Sequence, residues 1–149
     1  PALIPEDYLP DIHTRLVLYK RIANAPDDAG LRQLQIEMID RFGLLPEATK
    51  TLFALTAIKQ HAAQLGIKKI ELHGQGGRVI FHAAPRIDTE RLITLLQQEA
   101  KTYKLDGPDK LRIVRNFAHT QEKIEFLEQL LQQLSSDHAD SLEPIDKMS

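Results

Sequence analysis

The chain has 149 residues, a formal net charge of −2 and no cysteine. A chain of this length buries about two-thirds of its unfolded surface, enough for one core, and its near-neutral charge excludes a dominant electrostatic affinity for nucleic acid. The absence of cysteine excludes a disulfide scaffold, thiolate catalysis and a zinc ribbon.

The first predicted elements are an extended lead-in and a helix. Pro1, Pro5 and Pro10 disfavour helix in the residues before them, so residues 1–10 are expected to form an extended lead-in or linker. Asp11 is a suitable N-cap for the first helix. Apolar residues at helical spacing predict its buried stripe: Ile12, Leu16, Tyr19, Ile22 and Ala23. Its opposite side is basic, with His13, Lys20 and Arg21.

Two further helices are predicted around a tight corner. The second helix runs from about Asp27 to Phe42, and Gly43 ends it because glycine readily adopts a left-handed conformation. Its predicted buried stripe is Leu31, Leu34, Met38, Ile39 and Phe42. Pro46 suits the first position of a third helix that ends near Leu65. The buried stripe predicted for that helix is Ala48, Leu55, Ile58, Ala62 and Leu65.

The pattern then changes to the alternation of β-strands. Residues 70–72 and 79–83 alternate around the sequence GQGG, which predicts a hairpin with one buried face. A helix capped by Asp88 follows, and the sequence DGPD makes a turn between two more short strands. The last helix is expected at residues 118–134, and residues 135–149 lack an apolar period and are expected to be disordered. The predicted class is α+β: three N-terminal helices, a small mostly antiparallel sheet of two short hairpins, and two further helices.

No catalytic, cofactor or metal site is predicted. Gly74, Gly76 and Gly77 precede a strand and lack the lysine and hydroxyl of a phosphate loop. The six histidines are scattered without metal-ligand spacing, and no serine or threonine has a nucleophile elbow. We therefore expect no enzymatic activity from this chain alone.

Membrane association is not expected either. No apolar run approaches the roughly 20 residues that span a bilayer, and no signal sequence opens the chain. Together with the lack of cysteine, this predicts a cytoplasmic protein. A first residue of proline favours a chain cut from something longer.

Glu37, Asp40 and Arg41 form the candidate site. Their spacing places all three on one face of the second helix, close to Leu44, which is a candidate apolar contact. The face is either solvated, with a Glu-to-Arg pair inside the helix, or it binds arginines of a partner protein. Spacing alone does not decide between these alternatives.

Direct binding to DNA is a third alternative. Helices followed by a hairpin can resemble a winged helix, but Lys50, Lys59, Gln60 and Gln64 are dispersed around the third helix. Lys110, Arg112 and Arg115 are interpreted as part of a solvated face. Nucleic-acid binding is thus the least favoured of the three.

Several motifs resemble one known family. DIHTRLVLYKRIANA, IEMIDRFGLLPEA, QLGIKKIELHGQGGRVIF and YKLDGPDKLRI resemble, in order, the C-terminal (TRCF) domain of the bacterial transcription-repair coupling factor Mfd. The resemblance runs from about Ile4 to Leu134, and it implies a single TRCF domain over residues 11–134. The tail after Leu134 has no counterpart in it.

The resemblance also implies a function. The parent protein is an ATP-driven DNA translocase that removes stalled RNA polymerase and recruits the repair protein UvrA through a UvrB-like N-terminal module. In the family this terminal domain packs on that module and covers the UvrA-binding surface. By resemblance, Glu37, Asp40 and Arg41 become the docking residues of an autoinhibitory domain, with Leu44 beside them. A structural cap without a regulatory role remains the alternative.

Overall fold

Five helices and four strands make up residues 1–135, the part of the chain that this computed structural model describes. The helices are α1 Ile12–Ala23, α2 Asp28–Phe42, α3 Glu47–Gln64, α4 Thr89–Gln98 and α5 Thr120–Leu134. The strands are β1 Ile67–His73, β2 Gly76–Phe81, β3 Tyr103–Leu105 and β4 Lys110–Val114. The predicted α+β class is confirmed, with three helices before the strands. The predicted disordered tail lies, apart from Ser135, outside the described residues.

The chain divides into two compact units, Pro1–Gln60 and a second that begins at His61. The first unit has its own apolar core, to which α1, α2, α3 and the lead-in all contribute. The buried residues of this core are Ile4, Leu9, Leu18, Ile22, Leu31, Leu34, Met38, Leu45 and Phe53. That residues 11–134 fold as one cooperative domain stays a prediction.

The lead-in packs against the helices of the first unit. Its Ile4 and Leu9 are buried, with 2% and 5% of their surface exposed. The backbone N–H of Ile4 donates to the Tyr19 hydroxyl at 2.7 Å, and the Thr49 hydroxyl donates to the carbonyl of Leu3 at 3.0 Å. Because Thr49 is fully buried, this bond satisfies a hydroxyl that would otherwise be costly to bury.

The predicted stripe of α1 was wrong in part. Ile12 and Leu16 are 63% and 60% exposed and Ala23 is exposed as well, whereas Leu18 and Ile22 are buried. Apolar residues surround much of this helix, so spacing alone allows more than one stripe, and packing into the shared core selects Leu18 and Ile22.

Two other predicted core positions are also partly exposed. Ile39 of α2 is 40% exposed and Leu55 of α3 is 38% exposed, while Phe53 is buried instead. At about 100° per residue, Ile39 is turned well away from the neighbouring Met38, which is completely buried. The stripe predicted for α5 is confirmed, since Ile124, Leu127, Leu131 and Leu134 are all buried, along with Phe126 and Leu130.

The second unit contains one antiparallel sheet in the order β1-β2-β4-β3. The two predicted hairpins, β1–β2 and β3–β4, are both present, and pairing of β2 with β4 joins them into a single sheet. Val79 and Leu111 lie opposite each other on its buried face, and neither exposes any surface. The side chains of Leu130 and Leu131 in α5 are likewise fully buried.

The turn of the first hairpin is shorter than GQGG. Gly74 and Gln75 form the turn, while Gly76 and Gly77 already belong to β2 and pair with His73 and Leu72. A Cβ atom on Gly77 would lie 1.8 Å from the backbone oxygen of Glu71. The glycine at this position is therefore required by the close approach of two strands.

Tyr103 provides a test of the packing in the second unit. Its ring stacks on Phe126 with centroids 6.0 Å apart, and burial raises its pKa to about 12. The neutral phenol is stabilised by the fold, so this stabilisation is complete below the ordinary pKa of 10.0 and is lost as pH rises towards 12. We expect a phenolate absorbance titration to show a late-ionising tyrosine that Tyr103→Phe removes. Ionisation of every tyrosine near pH 10 in the folded protein would contradict this packing.

Candidate docking surface at the end of helix α2

Helix α2 is capped at both ends. The Asp27 carboxylate caps its start by accepting the backbone N–H of Gly30 at 2.8 Å. At its end, Gly43 has φ +97°, and its N–H donates to the carbonyl of Ile39 at 2.9 Å. The next two residues differ in burial: Leu44 is 84% exposed, whereas Leu45 is buried. The corner thus presents one leucine to solvent and anchors the other in the core.

Tyr8 holds this corner in place from the lead-in. Its hydroxyl donates to the carbonyl of Gly43 at 2.8 Å, and its ring meets Phe42 edge-on with centroids 6.2 Å apart. The Tyr8 hydroxyl is protonated and can donate at neutral pH, and burial raises its pKa above the ordinary value. The backbone that carries Leu44 is therefore fixed before any partner arrives.

Glu37 is already engaged within the first unit. Arg21 of α1 donates two hydrogen bonds to its carboxylate, at 2.5 and 2.9 Å, and Arg41 lies at 3.5 Å. The bonds from Arg21 hold the pKa of Glu37 below its usual range, and those bonds in turn raise the pKa of Arg21. Glu37 organises its two arginine neighbours and is not a free anion.

Arg41 is positioned by two contacts. Besides its ion pair with Glu37, its guanidinium carbon lies 4.7 Å from the centroid of the Phe42 ring. Guanidinium groups bind favourably over aromatic faces at this distance. About half of the Arg41 side chain remains exposed, so its remaining donors face solvent.

Asp40 is the free carboxylate of this surface. It is exposed, and within residues 1–135 it makes no hydrogen bond or ion pair. Ile36 lies one turn before it on the same side of α2 and is 54% exposed, and Ile39 is 40% exposed. The α2 docking surface, defined as Ile36, Ile39, Asp40, Arg41 and Leu44, therefore combines one unpaired anion, one held cation and three exposed apolar side chains.

The structure changes the roles of the sequence-predicted residues. It places Glu37, Asp40 and Arg41 on the side of α2 away from the core, but only Asp40 is unpaired. Sequence analysis missed Arg21 as the partner of Glu37, because the pair joins different helices 16 residues apart. Ile36 could have been found, since it lies four residues before Asp40 at helical spacing.

The described residues contain neither a metal-binding cluster nor a membrane-spanning helix. Between Pro1 and Ser135, no group of three or more histidine, cysteine, aspartate or glutamate side chains is placed to hold a metal ion. In the same range, no helix is both long and apolar enough to cross a membrane. The α2 docking surface is therefore the candidate functional site.

Comparisons with known proteins agree on one family. A family model, the TRCF domain, matches residues 1–92. Transcription-repair-coupling factors from Escherichia coli (strain K12) and Haemophilus influenzae are each 39% identical, over 90% and 91% of this chain. The chain spans 12% of the length of each relative. A crystal structure of the C-terminal domain of transcription-repair coupling factor has a similar fold, with a TM-score of 0.72 and 21% identity, covering 89% of this chain and 88% of that one.

Proposed function

Since the chain belongs to the TRCF domain family, we propose that it is an autoinhibitory interaction domain of a longer transcription-repair coupling factor. It docks through the α2 docking surface on a UvrB-like module of the same polypeptide and masks the surface that binds UvrA. Its link to RNA polymerase is indirect, through the motor of the parent protein. The domain itself performs no chemistry in this proposal.

One observation carries the proposal: an unpaired carboxylate and an 84% exposed leucine on one fixed helix end. Exposed apolar side chains are common singly, but a group of three around a free charge is typical of an interaction site. Asp40 suits a bidentate bond from a partner arginine. Arg41, whose free donors face solvent, suits a partner carboxylate. The partner surface should therefore be mixed in charge and partly apolar.

The strength of such a contact suits a latch that must open. A closed-to-open ratio of 99 to 1 requires about 2.7 kcal/mol. Burying Leu44 contributes about 1.5–3 kcal/mol, and each exposed ion pair adds about 0.2–1 kcal/mol. These two contacts reach about 2.7 kcal/mol only before the cost of ordering the interface is subtracted, so burial of the exposed Ile36 and Ile39 contributes as well. The latch would be specific without being too strong for a motor to release.

Binding of the separate parts tests the proposal directly. With an effective concentration of about 1 mM for linked domains, a 99 to 1 ratio corresponds to a Kd of about 10 µM between separate domains. We expect calorimetric titration of this chain into the UvrB-like module to give one-to-one binding near this value. Binding should weaken as the salt concentration is raised from about 50 to about 300 mM, because salt screens the charged pairs that contribute to it.

Leu44→Ala is the variant for this titration. It should weaken binding by about tenfold or more, since the leucine contributes the larger part of the contact. Leu105→Ala is the matched control, because Leu105 is also an exposed leucine, at 58%, but lies on β3 of the second unit. Equal affinities for the two variants, or no binding of the unaltered chain, would argue against docking through this surface.

A specific observation favours a second candidate, a structural cap without a regulatory role. Ile12, Leu16 and Val17 leave 63%, 60% and 45% of their surfaces exposed on α1. An apolar stripe of this kind suits permanent packing against another part of a longer chain. A cap would lose stability when its contact face is mutated, without any gain in UvrA binding, whereas the latch would gain UvrA binding.

A further inference from the structure

The face of the sheet opposite the core is strongly basic. Directly opposite residues on neighbouring strands project from the same face, and the pairing places Arg78 opposite Arg112 and Arg112 opposite Lys104. The next row contains Lys69, Ile80 and Lys110. We call the five cations of these two rows the basic sheet face: Lys69, Arg78, Lys104, Lys110 and Arg112.

Two acidic side chains offset part of this charge: Glu71, and Asp106, which acts electrostatically on Arg78 and bonds through its backbone N–H to the carbonyl of Lys110. Glu71 lies opposite Arg78 and accepts its Nε–H at 2.6 Å, and Lys69 lies 3.4 Å from the same carboxylate. The bond from Arg78 keeps the pKa of Glu71 below its ordinary value. Among residues 1–135, Arg112 and Lys110 form no ion pair. Arg112 is thus an exposed cation between two others.

This arrangement differs from a face that only remains solvated. Like charges directly opposite on neighbouring strands are unfavourable, whereas opposite charges stabilise the pairing. On a face that is only solvated, positive and negative side chains could alternate from strand to strand. Here three neighbouring strands, about 4.8 Å apart, place Arg78, Arg112 and Lys104 side by side. The five cations outnumber the acidic side chains beside them, although the whole chain has a net charge of −2. Such a surface attracts a polyanion.

We propose that the basic sheet face binds the phosphate backbone of duplex DNA without sequence preference. A protein partner is less suitable, because lysine is depleted in protein interfaces and three of the five cations here are lysines, Lys69, Lys104 and Lys110. Only Ile80 and Val114 are apolar in the rows around it. No phenylalanine, tyrosine or tryptophan side chain projects from these rows for base stacking. The more densely charged duplex is therefore favoured over a single strand. This activity is separate from docking through α2.

Fluorescence anisotropy with a labelled duplex tests the proposal. A duplex of about 20 base pairs is long enough for the few phosphate contacts that this face can make. We expect the 149-residue chain to bind the duplex at low salt with a Kd on the order of 10–100 µM, as non-specific binding does. If about four phosphates are contacted, the logarithm of the binding constant falls with the logarithm of salt with a slope of about −3.6. The matching single strand should bind more weakly.

The Arg112→Glu/Lys104→Glu variant should weaken duplex binding by at least about tenfold and make the salt slope shallower by about 2. The control is Lys20→Glu/Lys59→Glu, which makes the same change in charge at exposed helix positions. Circular dichroism should show that both variants fold. The proposal is overturned if the unaltered chain does not bind at low salt, if both variants lose affinity equally, or if a poly-glutamate peptide of equal charge binds as tightly as the duplex.

Discussion

Asp40→Arg in the full-length transcription-repair coupling factor is expected to raise its affinity for UvrA by up to about 100-fold. A protein that is open in about 1% of molecules binds UvrA with an apparent affinity reduced by that fraction, and opening the latch restores it. Reversing Asp40 replaces the unpaired anion of the α2 docking surface with a cation that repels a partner arginine. Surface plasmon resonance with immobilised UvrA measures the change.

The fold of the variant should be unaffected, because Asp40 is exposed and its carboxylate makes no hydrogen bond or ion pair within residues 1–135. Glu128→Arg is the control, since it reverses an exposed carboxylate on α5 of the second unit. The control should leave UvrA binding at the original level. If the folded Asp40→Arg protein also retained that level, the autoinhibitory role would have to be abandoned.

Gly77→Ala is expected to destabilise the fold strongly. The added Cβ would lie 1.8 Å from the oxygen of Glu71 and 2.8 Å from its carbonyl carbon, and both are backbone atoms of the paired strand. A side chain could rotate away, but a backbone cannot move without breaking the β1–β2 pairing. We expect a loss of at least about 3 kcal/mol in the free energy of unfolding, measured by urea denaturation.

Gly74→Ala supplies the matched comparison three residues earlier. A Cβ atom there would meet only the oxygen of Phe117, at an ordinary 3.9 Å. The substitution should change stability by no more than about 0.5 kcal/mol. Comparable losses of stability for the two alanines would contradict a steric requirement for glycine at Gly77. They would mean that β1 and β2 lie farther apart than described.

The secondary structure was largely accessible from local sequence. Helix ends followed from caps such as Asp11, Asp88 and Gly43, because these act within a few residues. The choice of buried side in α1 was not accessible. It depends on packing of Leu18 and Ile22 with residues far along the chain, and spacing alone could not exclude Ile12 and Leu16.

The surfaces show the same division between local and distant information. Residues of one helix, such as Glu37, Asp40 and Arg41, were grouped correctly by spacing, but the bond from Arg21 that occupies Glu37 required the pairing of two helices. The basic sheet face was also missed. Arg78, Lys104 and Arg112 are separated in sequence and meet only through strand register. Arg115, interpreted with Lys110 and Arg112 as part of a solvated face, is exposed, and its guanidinium lies about 5 Å from the ring centroids of Phe117 and Phe126.

The hydroxyl of Tyr8 gives the docking corner a mechanical property. It bonds to the carbonyl of Gly43, and the lead-in that carries it is anchored by the buried side chains of Ile4 and Leu9. Tension applied to the lead-in would be carried by these contacts to the backbone that presents Leu44. A force that extracted the lead-in would also break the hydrogen bond from the Tyr8 hydroxyl to the carbonyl of Gly43. The backbone before Leu44 would then become more mobile without any change in ligand or pH.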